Sequence, residues 1–96
     1  GLLENASRVG AMLREQVTGL GHPLIAGARG VGLLNAVLLT RPQAPALAAA
    51  LLDAGVIVNA VAPDALRLAP PLTLTPAQVT EFVTALDGAL TAVPES

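Results

Sequence analysis

Phe82 is the only aromatic residue in a chain of 96 whose residues are 53% hydrophobic, and that imbalance limits the fold more than any other feature. A core without rings must be assembled from Leu, Val and Ala, which bury less area per side chain than aromatics do. Ninety-six residues make one small domain, able to bury only about 60 to 65% of the surface its unfolded chain exposes. With a mean hydropathy of +0.67 and only 12% charged residues, apolar surface is left over after such a core is filled. Surface of that kind marks a face meant to be covered. The chain also opens on Gly1 and runs at once into a helical pattern, so the expectation is a piece of a larger protein.

Several function classes fall away. A net charge of -2, with no basic run and no Trp or Tyr, offers neither the electrostatic footprint nor the stacking surface of a nucleic-acid binder. The absence of cysteine rules out a disulfide framework and a thiolate metal site on this chain, in keeping with a reducing cytoplasm. The longest uncharged stretches, residues 16–28 and 68–80, are shorter than the ~18 apolar residues of a membrane span, and no basic head precedes an apolar segment as in a signal peptide. All five basic residues are arginines, Arg8, Arg14, Arg29, Arg41 and Arg67. Without lysine or thiol the chain has no amine or sulfur nucleophile. Its one histidine, His22, sits in the Gly/Pro-punctuated "GLGHPL" and reads as a solvated turn residue, because a general base needs an oriented partner.

Periodicity divides the chain into three helices and about three strands. Leu2, Ala6, Val9, Leu13 and Val17 recur at spacings of three and four, the stripe of an opening helix that ends near Gly19 and Gly21. Residues 30–40, "GVGLLNAVLLT", form an apolar run of the length expected for one buried strand, stopped by Pro42. Pro45 pre-sets the first turn of a second helix, in which Leu47 and Leu51 share a face and Gly55 supplies the left-handed end. "VIVNAV" and "ALRLA", joined through "APD", read as an antiparallel hairpin. The last helix carries the strongest signature. Thr75 and Gln78 have the spacing of a capping box, Pro76 takes the first helical position, Leu74 and Val79 make a hydrophobic staple, and Val79, Phe82, Val83, Leu86 and Leu90 continue the stripe. The order α-β-α-β-β-α predicts an α+β fold: a small, largely antiparallel three-stranded sheet with helices on one face.

Within "DALRLAPPL", period-two alternation sends Leu66 and Leu68 to one face of a strand and the Arg67 guanidinium to the other. On that face Arg67 is either a solvated surface charge, locally paired with Asp64, or an anion clamp. The second reading rests on the guanidinium's two parallel donors, which match a carboxylate, and on a short strand pinned between Pro63 and Pro70.

"RGVGLLNAVLL", "AGVIVNA" and "APDALRLAPPLTLTPAQVTEFVTALDGAL", in this order and spacing, resemble the C-terminal small domain of the acetylornithine aminotransferase family. These are class III, fold-type I, pyridoxal-phosphate-dependent aminotransferases, and ornithine aminotransferase is among their kin. The resemblance covers nearly all of residues 1–96, which are therefore read as a single domain of a larger enzyme. It implies that the arginine of "R-x-x-P-P-L", here Arg67, binds a carboxylate of the substrate, and this turns the reading of Arg67 from surface charge to clamp. Gly30, Gly32, Pro70 and Pro71 match positions whose role is backbone geometry. No residue of this chain is read as catalytic, cofactor-binding or metal-binding. The Schiff-base lysine, the aspartate on the cofactor's pyridine nitrogen and the phosphate cradle belong, by the same resemblance, to a large domain not contained in these residues.

The implied reaction passes the amino group of N-acetylornithine to 2-oxoglutarate, giving N-acetylglutamate semialdehyde and glutamate, in arginine biosynthesis. It implies a cytoplasmic homodimer, with no nucleic acid or membrane partner. Asn35 in "GLLNA" looks more like ornithine aminotransferase and "VNAVAPDALRLAPPL" more like the acetylornithine enzyme, so ornithine or another ω-amino donor is the alternative. Asn35 and Asn59 themselves read as satisfying neighbouring backbone groups rather than a ligand. A rival of another class is a freestanding α+β module that binds a small effector or a partner protein and catalyses nothing; the missing lysine favours it for this chain alone.

Overall fold

A computed structural model of the chain describes residues 1–32, 34–68 and 74–93, with Leu2 and Val31 described through their backbone only. The elements are α1 (Leu2–Gly19), β1 (Ile25–Val31), β2 (Leu34–Leu39), α2 (Ala44–Asp53), β3 (Asn59–Ala62), β4 (Ala65–Leu68) and α3 (Pro76–Ala92). The fold is α+β. All neighbouring strands are antiparallel, in the order β1-β2-β4-β3.

The sheet has four strands where the sequence pattern predicts three. Residues 30–40 are not one strand: the chain turns at Gly32, held at φ 57°, and Val31 pairs with Leu34 across that turn. Such a left-handed backbone is one that glycine adopts without steric cost. The preceding "IAGARGV" has no alternating apolar pattern, yet it is strand β1 because its backbone pairs with β2, with an irregularity between Ile25 and Gly27. β1 is therefore an edge strand made by its neighbour's hydrogen bonds rather than by its own side chains.

Both faces of the sheet follow from the register. Val37 lies opposite Leu66, and Asn35 opposite Leu68. These four, with Leu39, are buried beneath the helices. α1 lies on β1 and β2, α2 on β3 and β4, and α3 packs against both helices. The opening stripe is spent inside the chain, since Ala6, Val9, Leu13 and Val17 are all buried. The core is aliphatic: Leu24, Leu47, Leu51, Leu86, Leu90 and Val79 are fully buried, while Phe82 is only partly so.

The helix ends obey local rules. In α3 the Gln78 amide donates to Thr75 Oγ1 at 3.2 Å and the Thr75 amide donates to Gln78 Oε1 at 3.0 Å, which completes the capping box. Leu74 packs on the core beside buried Val79. At the end of α2 the amides of Gly55 and Val56 donate to the carbonyls of Leu52 and Leu51, with Gly55 at φ 87°. This is a Schellman ending, which uses up two carbonyls the helix leaves unpaired.

Two helical glycines are expected to respond in opposite ways to alanine. A β-carbon at buried Gly10 would overlap the Gly32 carbonyl, because α1 touches the β1–β2 turn at that point. Gly10→Ala is therefore expected to destabilise by about 1 to 3 kcal/mol through overpacking against backbone that cannot yield. Gly88 in α3 is exposed and has nothing within 4 Å of the added carbon. There Ala should stabilise by about 0.5 to 1 kcal/mol through the lower helix propensity of glycine. Urea unfolding of the two variants beside the parent chain checks the signs.

Candidate carboxylate-binding face

Arg67 emerges from β4 between Leu66 and Leu68, both buried on the helix side, and is itself exposed on the opposite, helix-free face. The alternation read from "ALRL" holds. Across the sheet Arg67 lies opposite Ala36 on one side and Asn59 on the other, and Ala36 lies opposite Arg29. Arg29, Ala36, Arg67 and Asn59 thus form one row across the open face. With strands about 4.8 Å apart, the backbones bearing the two arginines stand about 10 Å from one another, and the small Ala36 leaves the space between them clear.

Arg29, Gly30, Leu34, Asn35, Ala36 and Arg67 line a shallow hollow of about 510 Å³ on this face. Among the described residues no carboxylate lies within salt-bridge range of either guanidinium. The local pair between Arg67 and Asp64 is not made, although a tight turn separates them. Two exposed guanidinium groups over an apolar floor suit an anion with a planar, two-oxygen head, since each fork can give a carboxylate two parallel hydrogen bonds. Arg29 escaped the sequence reading because it marked the border of an apolar run. Only the β1–β2 register brings it into the row with Arg67.

The other residues singled out from the sequence divide. Asn35 does not satisfy a neighbouring backbone group. Its Oδ1 accepts from Arg14 Nη1 of α1 at 2.6 Å and its side chain is buried, although the residue also borders the hollow. Asn59 is exposed in the row beside Arg67. His22 is half-buried, and its Nδ1 accepts from the Leu24 amide at 3.0 Å, a role that shapes the turn into β1. Gly30 faces Asn35 with no room for a β-carbon. Gly32 holds the turn. Pro70 and Pro71 lie outside the described residues.

Among the described residues nothing fits a covalent pyridoxal-phosphate site. The sequence has no lysine to bind the aldehyde, and the N-terminus of α3 spends its amide of Gln78 on Thr75 instead of offering it to a phosphate. Among the described residues no helix is long and apolar enough to cross a membrane.

The backbone is that of one part of solved aminotransferases: it superimposes on acetylornithine aminotransferase from Elizabethkingia anophelis with a TM-score of 0.87 at 32% identity, over 95% of this chain and 25% of that one. A lysine aminotransferase from Mycobacterium tuberculosis gives 0.87 at 30% identity, over 96% and 22%. The chain belongs to the class-III aminotransferases, whose family model matches residues 1–90. It is 47% identical over 92 residues to acetylornithine aminotransferase of Mycobacterium leprae, covering 96% of this chain and 23% of that protein. The Streptomyces coelicolor protein of the same name is 47% identical over all 96 residues, which span 24% of its length. The chain thus covers about a quarter of the length of these relatives, in a family that depends in general on pyridoxal phosphate.

Proposed function

We propose that residues 1–96 are the C-terminal small domain of a pyridoxal-phosphate-dependent acetylornithine aminotransferase, and that Arg67 holds a substrate carboxylate. The observation that carries the proposal is Arg67 itself: a guanidinium with no carboxylate in range among the described residues, presented on an open sheet face, in a chain whose relatives are named acetylornithine aminotransferases. The amino donor is N-acetylornithine and the acceptor 2-oxoglutarate, as in arginine biosynthesis, and the enzyme works as a cytoplasmic homodimer. The open face, with Leu34 at 58% exposure, is the side the large cofactor-binding domain covers. The stripe of α1 is buried within the chain at Ala6, Val9, Leu13 and Val17 and is not free for that contact.

Ornithine as donor draws no support from Asn35. That side chain is buried and its Oδ1 is taken up by Arg14, so its environment favours neither donor. The test uses both the chain and the complete enzyme. Borohydride treatment of the isolated chain with pyridoxal phosphate, followed by intact-mass measurement, should leave no side-chain adduct, with any label at the terminal amine set aside. The complete enzyme should take one adduct, at a lysine outside these residues, and should convert N-acetylornithine and 2-oxoglutarate to N-acetylglutamate semialdehyde and glutamate. A complete enzyme that turns over ornithine at least as well as its acetylated form overturns the donor assignment.

A further inference from the structure

Asn35 is the single buried polar residue among the described residues, 3% exposed in a core of leucine and valine. Its Nδ2 is buried with no hydrogen-bond partner. An unpaired buried amide costs about 1 to 3 kcal/mol, and an aliphatic side chain of similar size would avoid that cost. Something other than packing therefore accounts for an amide at this point.

The candidate is what its other end does. Oδ1 accepts from Arg14 Nη1 at 2.6 Å, a short charge-assisted bond of the stronger kind. The same Nη1 donates to the Gly32 carbonyl at 3.3 Å. Space for this pair has been cleared twice: a β-carbon at Gly30 would crowd Oδ1, and one at Gly10 would crowd Arg14 as well as the Gly32 carbonyl. One half-buried guanidinium on α1 thus grips both the β1–β2 turn and the first part of β2.

The next residue along β2 is Ala36, which lies directly opposite Arg67. Asn35 itself lies opposite Leu68. The Arg14–Asn35 bond therefore anchors, from below, the stretch of β2 against which the Arg67 strand is registered, and it does so at the end of the sheet where β4 has only four residues to hold it. We infer that Arg14 and Asn35 are positioning residues for Arg67: they act through the β2–β4 register to aim a guanidinium that neither of them touches. This rests on the carboxylate-binding reading of Arg67.

The test uses the complete enzyme, loaded with cofactor, and two amino donors: one with an α-carboxylate and an amine of similar length without it. Asn35→Leu and Arg14→Gln are each expected to lower kcat/KM for the carboxylate donor by about tenfold or more, since a misplacement of about 1 Å can cost about 100-fold, while changing it less than about twofold for the plain amine. In an Arg67→Ala background the same substitutions should have no further effect on the carboxylate donor, because residues acting through one group are not additive. Arg14→Gln changes a half-buried helix residue and keeps every core hydrocarbon side chain in place, so the test stays readable if Asn35→Leu fails to fold. Equal losses on both donors, or full additivity with Arg67→Ala, would overturn the positioning role while leaving Arg67 as the clamp. If Arg67→Ala alone spares discrimination between the donors, the carboxylate-binding reading fails first and this inference falls with it.

Discussion

Arg67→Ala in the complete enzyme is expected to lower kcat/KM by about 10- to 150-fold, the kinetic equivalent of losing roughly 1.5 to 3 kcal/mol of paired, charge-assisted hydrogen bonds in the transition state. On the proposed reading the amino donor and 2-oxoglutarate each bring a carboxylate to the same guanidinium, so both half-reactions should suffer. Cofactor loading, assigned on the same reading to groups outside these residues, should stay near normal. Stability should barely change, because Arg67 is exposed and has no salt-bridge partner among the described residues. Arg67→Lys is expected to rescue only in part, since an ammonium keeps the charge but loses the two-pronged geometry. Arg41→Ala is the control: Arg41 is exposed beyond the far end of β2, beside Pro23 and Thr40, and should leave the kinetics close to normal. Steady-state measurement of each variant against both substrates decides the matter. If Arg67→Ala holds kcat/KM within about twofold for both while folded and loaded, Arg67 is a surface charge.

One residue earlier on the same strand the expected effect changes kind. Leu66 is fully buried, opposite Val37 on the helix side of the sheet. Leu66→Ala removes methyl and methylene groups from a core built almost wholly of aliphatic side chains, and should cost about 2 to 5 kcal/mol. That is a large share of the roughly 5 to 15 kcal/mol that holds a domain together. Urea unfolding should show a lower midpoint with little change in slope, whereas the Arg67→Ala midpoint should stay where it is. A Leu66→Ala loss under about 1 kcal/mol would mean that the site collapses readily around the deletion. The adjacent pair thus separates what the strand does for the fold from what it does for the substrate.

Features decided within a few residues could be read from the sequence. The Thr75–Gln78 box, the α1 stripe through Val9 and Val17, the Gly55 ending of α2 and the alternation about Arg67 all depend on contacts between near neighbours in the chain, and each stands in the structure as its pattern required. The α+β class followed from their order, and the likeness to aminotransferases from stretches whose spacing is part of the sequence itself. Pairing between distant segments was not legible. β1 carries no strand pattern of its own and exists through its bonds to β2, so only the folded sheet made a fourth strand, brought Arg29 into line with Arg67 across Ala36, and set Arg14 against Asn35 twenty-one positions away. Side-chain periodicity reports which face of an element is buried. It carries no information on which strand lies beside it or in what register, because those depend on backbone hydrogen bonds that every residue type can make, proline as acceptor only.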